Sequence, residues 1–378
     1  MNLRWLPAIN RIIILFLVNS RTRHRVRRSR ETLMQFHNLT VAQVTRETED
    51  ACSYTLSIPD ALQQSFAYRA GQHLTFRVNV DGEILLRSYS LSSSPEAGGL
   101  PVVTVKRIPD GRVSGWFHAH VRAGTRLEVS APAGRFVCEN MDAPLFFCAA
   151  GSGITPVLSM IRSALASTHR RMTLFYANRD TPGAIFAAEI AALARGNPDR
   201  LTVHMHYDDA DGFPERGKIA ALLSSVAQCQ LYLCGPGPFM QTVQEAAEAA
   251  GMARGRVHLE RFDAPMPDPE AGSATRAASS AATSAVECDA KVILGGALHV
   301  VRVASGQSLL QAALACGVDA PYACEEGYCG SCAAKCIDGA VVHERNDVFG
   351  ADELAAGWIL TCQARPRQER PVAITYDV

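Results

Sequence analysis

The chain has 378 residues, 48% hydrophobic and 20% charged, enough for more than one packed core. Lysine and arginine together number 37, as do aspartate and glutamate, so a net charge of zero gives no general case for nucleic-acid binding. Twelve cysteines scattered through a chain of this size, without a secretory signal, argue against a disulfide-stapled scaffold and for reduced thiols in the cytoplasm.

Residues 1–35 read as a basic and apolar extension. The seven apolar residues Ile12–Val18 follow Arg11 and precede Arg21, Arg23, Arg25, Arg27, Arg28 and Arg30. A bilayer span needs about 20 apolar residues, and a secretory signal places its charge ahead of the apolar run. An interfacial helix, an organellar presequence and a stretch absent from the mature protein all remain open. Met34 lies just before the change of texture at Phe36, so residues 1–33 are expected to be dispensable for catalysis. The alternative is lipid binding by the arginines, which would suit a membrane desaturase or hydroxylase partner.

Residues 36–143 alternate apolar and polar residues over 39–44, 53–58, 73–80, 102–105 and 127–129, with breaks at Pro59, Gly71 and Asp81-Gly82. Many short strands with turn signals predict an antiparallel barrel. It contains Arg87-Ser88-Tyr89-Ser90, and Ser114 opens a short helix ending near His120.

From 144 to 262 the period changes. Continuous apolar strands at 145–150, 172–177, 201–206, 230–234 and 257–262 alternate with helices at 157–166, 185–194, 218–226 and 239–250. This alternation predicts a parallel sheet with helices on both faces and phosphates at the strand C-terminal ends. Gly151-Ser-Gly153-Ile-Thr155-Pro156 follows the first strand and leads into a helix, as a dinucleotide loop does, although it lacks the last glycine of the fingerprint. Cys234-Gly235-Pro-Gly237 ends a later strand, so both loops should meet at one cleft. No acid ends the second strand. Arg179 stands there and can accept a 2′-phosphate, which tilts the reading toward NADPH while leaving NADH open.

Residues 263–287, rich in Pro, Ala, Ser and Thr, read as a flexible linker. Beyond them, Gly295-Gly296 marks a hairpin, Ser308 a helix cap and Gly317 that helix's end. Cys324, Cys329 and Cys332 are spaced C-x4-C-x2-C, and Cys362 follows with 29 residues between. That is the plant-type [2Fe–2S] spacing. Gly327 and Gly330 allow positive φ, which lets the loop curl around the cluster. Structural zinc more often uses two C-x2-C pairs. Cys316 and Cys336 are expected to be small core residues. The whole is a small α+β β-grasp domain over 288–378.

Within a barrel placed before a nucleotide-binding sheet, Arg87 can pair a pyrophosphate, Tyr89 can stack on an isoalloxazine and Ser90 can bond its N5 edge. Ser114 offers further donors to phosphate. A nicotinamide gives two electrons and an iron–sulfur cluster takes one, so a flavin should stand between them.

Taken in order, Arg87-Ser-Tyr-Ser90, Gly151-Ser-Gly-Ile-Thr-Pro156, Cys234-Gly-Pro-Gly237 and Leu259-Glu-Arg-Phe262 resemble ferredoxin–NADP reductase-like flavoproteins. With its C-terminal ferredoxin, the chain is similar to reductase components of multicomponent oxygenases. The nearest likeness is to the group of phenylacetyl-CoA epoxidase and ketosteroid hydroxylase reductases, on Phe36–Val41, Val105–Arg107 and Leu360–Gln363. The resemblance implies that Arg87, Ser88, Tyr89, Ser90 and Ser114 hold FAD and that Gly151, Gly153, Thr155 and Gly235 line the nicotinamide nucleotide. It places Cys234 beside the nicotinamide ring, with Ser90 as its catalytic partner, and Phe262 near the flavin. It further implies electron flow from NAD(P)H through FAD and [2Fe–2S] to a terminal oxygenase, with ring epoxidation of phenylacetyl-CoA as one outcome. A desaturase partner and a redox-sensing regulatory flavoprotein are the alternatives.

Replacing Cys324, Cys329, Cys332 or Cys362 by Ser is expected to abolish the iron–sulfur absorbance while nicotinamide still bleaches the flavin. Cys336→Ser should leave both signals. The reverse pattern for Cys332 and Cys336 would overturn the ligand assignment.

Overall fold

The computed structural model describes residues 35–138, 143–226, 228–262, 288–318, 320–322, 327, 330–346, 348–367 and 370–377. The N-terminal extension, the 263–287 linker, Cys324 and Cys329 lie outside the described residues. Among those described, no helix is long and apolar enough to cross a membrane.

The first body is a six-stranded antiparallel sheet. It comprises β1 (Phe36–Arg46), β2 (Ala51–Ser57), β3 (His73–Val80), β4 (Glu83–Ser90), β5 (Val102–Lys106) and β6 (Arg126–Ser130), in the order β4-β3-β6-β1-β2-β5. Its ends approach through the bridge Leu91–Val103, so the sheet curls toward a barrel. Alternation does the sorting. Leu39, Val41, Leu74, Phe76, Val103, Val105 and Val129 turn inward and are buried. Helix α1 (Arg112–His120) plugs the open side with Phe117, whose ring meets Tyr54, Phe76 and Tyr89 edge-on at 5.3 Å.

The second body is a parallel sheet ordered β11-β10-β7-β8-β9. Its elements run β7 (Leu145–Ala150), α2 (Ile154–Ser167), β8 (Met172–Asn178), α3 (Ala187–Gly196), β9 (Leu201–Tyr207), α4 (Asp208–Asp211), α5 (Arg216–Ser225), β10 (Gln230–Cys234), α6 (Gly237–Ala249) and β11 (Val257–Glu260). β7 and β10 are buried at every residue, as strands covered on both faces must be. The last strand stops at Glu260, two residues short of the expected end. α2 begins three residues earlier than expected, directly from a 3₁₀ turn over Gly151–Gly153.

The third body contains β12 (Cys288–Leu294), β13 (Ala297–Val303), α7 (Leu309–Ala315), β14 (Ala333–Asp338), β15 (Val341–His343), α8 (Ala351–Ala355), β16 (Trp358–Leu360), β17 (Ala364–Pro366) and β18 (Val372–Thr375). Its main sheet is ordered β13-β12-β18-β14-β16. Ser308 caps α7 through a reciprocal box with Gln311, and Gly317 ends it at φ +74°. β14, β15, β17 and β18 were not expected, because their apolar runs are only a few residues long. Cys336 is half-buried. Cys316, expected in the core, is exposed, because it follows the last turn of α7 on the solvent side.

Candidate functional site

Two loops meet at the C-terminal edge of the parallel sheet. After β7 the chain turns through Gly151 at φ +52°, and Tyr176 donates to the Gly151 carbonyl at 3.2 Å. The Thr155 hydroxyl donates to Ser152 O at 3.0 Å and tightens the turn. Gly153 lies so close to the end of β10 that a Cβ there would stand 2.2 Å from the Cys234 carbonyl oxygen. Gly235 is equally constrained, since a Cβ would meet Phe239 at 2.9 Å and Ala150 at 3.0 Å. Close backbone packing therefore dictates Gly153, and side-chain packing Gly235. Cys234 is fully buried beneath this contact.

On the barrel side, β4 points Arg87 and Tyr89 one way and Ser88 and Ser90 the other, as strand alternation requires. Tyr89 packs on Phe117, and burial raises its hydroxyl pKa. Arg87 donates from Nη1 to Leu86 O at 2.8 Å, and the Ser88 hydroxyl pairs with Thr75 Oγ1 at 2.9 Å. The Ser114 hydroxyl is engaged within its own turn. It donates to Gly111 O at 3.1 Å and accepts from Ile108 N at 3.3 Å.

Barrel and parallel sheet face each other at Ser90. Its hydroxyl lies 3.4 Å from Glu260 Oε2, at the end of β11, where Glu260 pairs in register with Cys234. His73, directly opposite Ser90 in the β3–β4 ladder, brings Nδ1 to 3.8 Å from Glu260 Oε1. Burial raises the Glu260 carboxyl pKa, and contact with His73 and Ser90 opposes that rise. Sequence reasoning missed His73 and gave Glu260 no role. The available signal was a carboxylate ending an apolar strand, where nothing local would pair it. Phe262 lies two residues beyond the strand and is 38% exposed, so Glu260 is what meets Ser90.

Two cavities share Asp50, Lys106 and Arg179 in their linings. One of about 270 Å³ is lined by Gly151, Asn178, Arg179, Asp180, Asp208 and Pro236, among others. The second, about 720 Å³, is lined by Lys106, Arg107, Arg112 and Arg179 with Asp50 and Asp110. Its four cations against two carboxylates suit a diphosphate. The residues fit a flavin and a nicotinamide nucleotide on two further observations. Gly151, at the turn that leads into α2, lines the smaller cavity, where backbone N–H groups can meet phosphate. His73 Nε2 is buried with no hydrogen-bond partner among the described residues, beside the strand that carries Ser90.

In the third body, Cys332 and Cys362 are buried together. β14 and β16 pair Ala333 with Leu360, and Thr361 donates its hydroxyl to Cys332 O at 3.0 Å. Gly327 and Gly330 hold φ of +84° and +75°, and a Cβ on Gly327 would meet Arg345 O at 2.9 Å. Two buried thiols beside a left-handed glycine loop fit an iron–sulfur cluster. Cys324 and Cys329 complete the expected set from outside the described residues.

Three family models match the chain in order. An oxidoreductase FAD-binding domain matches 38–138, an oxidoreductase NAD-binding domain 147–245, and a 2Fe-2S iron-sulfur cluster binding domain 292–367. The chain is 43% identical over 335 residues to the ferredoxin reductase component of 3-ketosteroid-9-alpha-monooxygenase from Rhodococcus rhodochrous, covering 87% of this chain and 93% of that protein. It is 37% identical over 350 residues to a 1,2-phenylacetyl-CoA epoxidase component from Escherichia coli, covering 88% and 95%. Among solved structures, phthalate dioxygenase reductase superposes with a TM-score of 0.55 at 26% identity, covering 90% of this chain and 98% of that one.

The raised Glu260 pKa has a defined consequence for stability. The folded state holds the Glu260 proton more tightly than the unfolded chain, so this group's contribution is full at low pH. It is lost as pH rises from about 4.5, the ordinary carboxylate value, through the raised one. Glu260→Gln is expected to remove that loss, so the variant's melting temperature relative to the unmodified chain should climb across this window. A flat difference would contradict the burial argument.

Proposed function

The chain belongs to the reductase components of multicomponent oxygenases that carry FAD-binding, NAD-binding and 2Fe-2S domains, and on that premise we propose how its residues divide the work. When bound, FAD takes the two electrons of a nicotinamide hydride and the [2Fe–2S] cluster passes them on singly. Arg87, with Lys106, Arg107 and Arg112 from the larger cavity, would hold the flavin diphosphate, while Tyr89 would flank the ring. Ser88 braces β4 through Thr75, and Ser114 shapes the phosphate turn through Gly111 and Ile108. Gly151, Gly153, Thr155 and Gly235 would cradle the nicotinamide nucleotide, with Cys234 beside the nicotinamide ring. Phe262, exposed two residues beyond β11, would stand near the flavin. Cys324, Cys329, Cys332 and Cys362 hold the cluster.

The observation that carries this reading is the Ser90–Glu260–His73 seam, which joins the flavin barrel to the nucleotide sheet at the glycine loops. Ser90 Oγ would orient the flavin edge, and the Glu260 carboxyl, whose pKa burial raises, lies within reach of that hydroxyl. Anaerobic titration of the purified protein with NADH and with NADPH tests the whole. Flavin bands should bleach first and the broad iron–sulfur absorbance next. Bleaching of one chromophore without the other would break the proposed order.

The reductase works in the cytoplasm and delivers electrons to a terminal oxygenase. Its relatives serve a ketosteroid monooxygenase, an epoxidase of phenylacetyl-CoA and a glycine betaine monooxygenase. Substrate thus resides with the oxygenase, and ring epoxidation of an aryl-CoA is one of the reactions such a reductase can support.

Arg179 follows β8 and lines both cavities. As the 2′-phosphate ligand, its loss removes a charge-assisted bond of about 1.5–3 kcal/mol. Arg179→Ala should therefore raise KM for NADPH roughly ten- to a hundredfold and leave that for NADH nearly unchanged. Equal effects on both would defeat the 2′-phosphate assignment and favour an enzyme that uses NADH.

A further inference from the structure

A single short segment, Ala133–Phe136, touches all three bodies. Ala133 and His73 exchange both backbone hydrogen bonds, at 2.9 and 3.0 Å. Gly134, at φ +110°, packs on the His73 ring, where a Cβ would approach Nδ1 to 2.9 Å. Phe136 meets Tyr232 of β10 edge-on at 5.6 Å, and its carbonyl closes on Gly71. Between them, Arg135 leaves the barrel and reaches the third body.

There it meets three features. Its guanidinium pairs with the Glu353 carboxylate and stands 5.2 Å over the Phe349 ring. Its Cδ lies 3.8 Å from where a Cβ on Gly330 would be, two residues before Cys332. The receiving surface is stiff. Phe349 is 6% exposed and stacks on Trp358 at 5.6 Å. Asn346 Oδ1 accepts from the Val348 and Phe349 amides, and Glu353 Oε2 accepts from Gly350 N at 3.1 Å. The carboxylate is thus aimed by its own turn, and the ring by its own core.

We propose that Arg135 is the positioning residue that docks the iron–sulfur body on the flavin barrel. One residue away, Gly134 packs over His73, so the docked arm Gly330–Cys332 is referenced to the same strand edge that carries Ser90. Arg135 makes and breaks no covalent bond and touches no reacting atom. It sets distance. This inference rests on the proposed path from flavin to cluster.

The test uses the full-chain holoenzyme in four forms: unmodified, Arg135→Ala, Glu353→Gln, and the reversed pair Arg135→Glu with Glu353→Arg. Small-angle scattering reads domain position without turnover, and both single variants should show a larger radius of gyration that the reversed pair restores. Anaerobic stopped-flow with NADH and NADPH should find flavin bleaching and nucleotide KM unchanged in every form. Cluster reduction should slow about two- to thirtyfold in Arg135→Ala, which loses both the ion pair and the ring contact, and less in Glu353→Gln, and should recover in the reversed pair. Unchanged scattering and unchanged cluster reduction in Arg135→Ala would overturn the proposal. So would slowed flavin bleaching, which would place Arg135 in the hydride step, and so would a reversed pair no better than the singles. If Arg135→Ala does not fold, Glu353→Gln carries the same test from the opposite side. Failure of the unmodified protein to reduce its cluster would refute the electron path instead, and scattering would still decide the docking.

Discussion

The close backbone approach of Gly153 to the Cys234 carbonyl governs much of the molecule. Because no side chain fits between them, β7 and β10 end at the same level, and their following loops form one continuous floor. Glu260 reaches that level because β11 runs parallel beside β10 and pairs Cys234 with Glu260. The carboxylate then meets Ser90 and His73 from the barrel. A bulkier residue at Gly153 would spread the two loops and separate the groups that define the seam.

Burial supplies the electrostatics. Glu260 is largely enclosed, so its carboxyl resists ionisation, and His73 and Ser90 are the groups that ease it. Such an arrangement holds a proton to higher pH than an exposed carboxylate would. The larger cavity works in the opposite sense. Lys106, Arg107, Arg112 and Arg179 gather positive charge where a diphosphate would lie, and they remain partly solvated.

Contact between the barrel and the iron–sulfur body is of a different strength. An exposed ion pair contributes roughly 0–1 kcal/mol, and an exposed cation–π contact about 0.5–1 kcal/mol. The Arg135–Glu353 pair is partly solvated on both sides. Contacts of this size define an orientation without making it permanent. That suits a body that must meet the flavin barrel and then a separate oxygenase.

The cysteine spacing, the barrel-then-sheet order and the loop motifs were legible in the sequence because each is a local pattern. A thiolate spacing, a period of two, and a glycine turn after a buried strand are set by neighbours along the chain. Even the Ser308 cap and the Gly317 stop could be read, since they depend on a few adjacent residues. Short strands such as β15 and β17 escaped, because three residues carry no period and only a partner strand makes them. His73, Glu260 and Arg135 escaped for a stronger reason. Their meanings arise from contacts across 170 or more residues, between Ser90 and Glu260 or between Arg135 and Glu353. Tertiary packing alone decides which carboxylate is buried beside which hydroxyl, and which arginine reaches a second body. The sequence alone determined the parts and their chemistry, while the folded chain decided which of them touch.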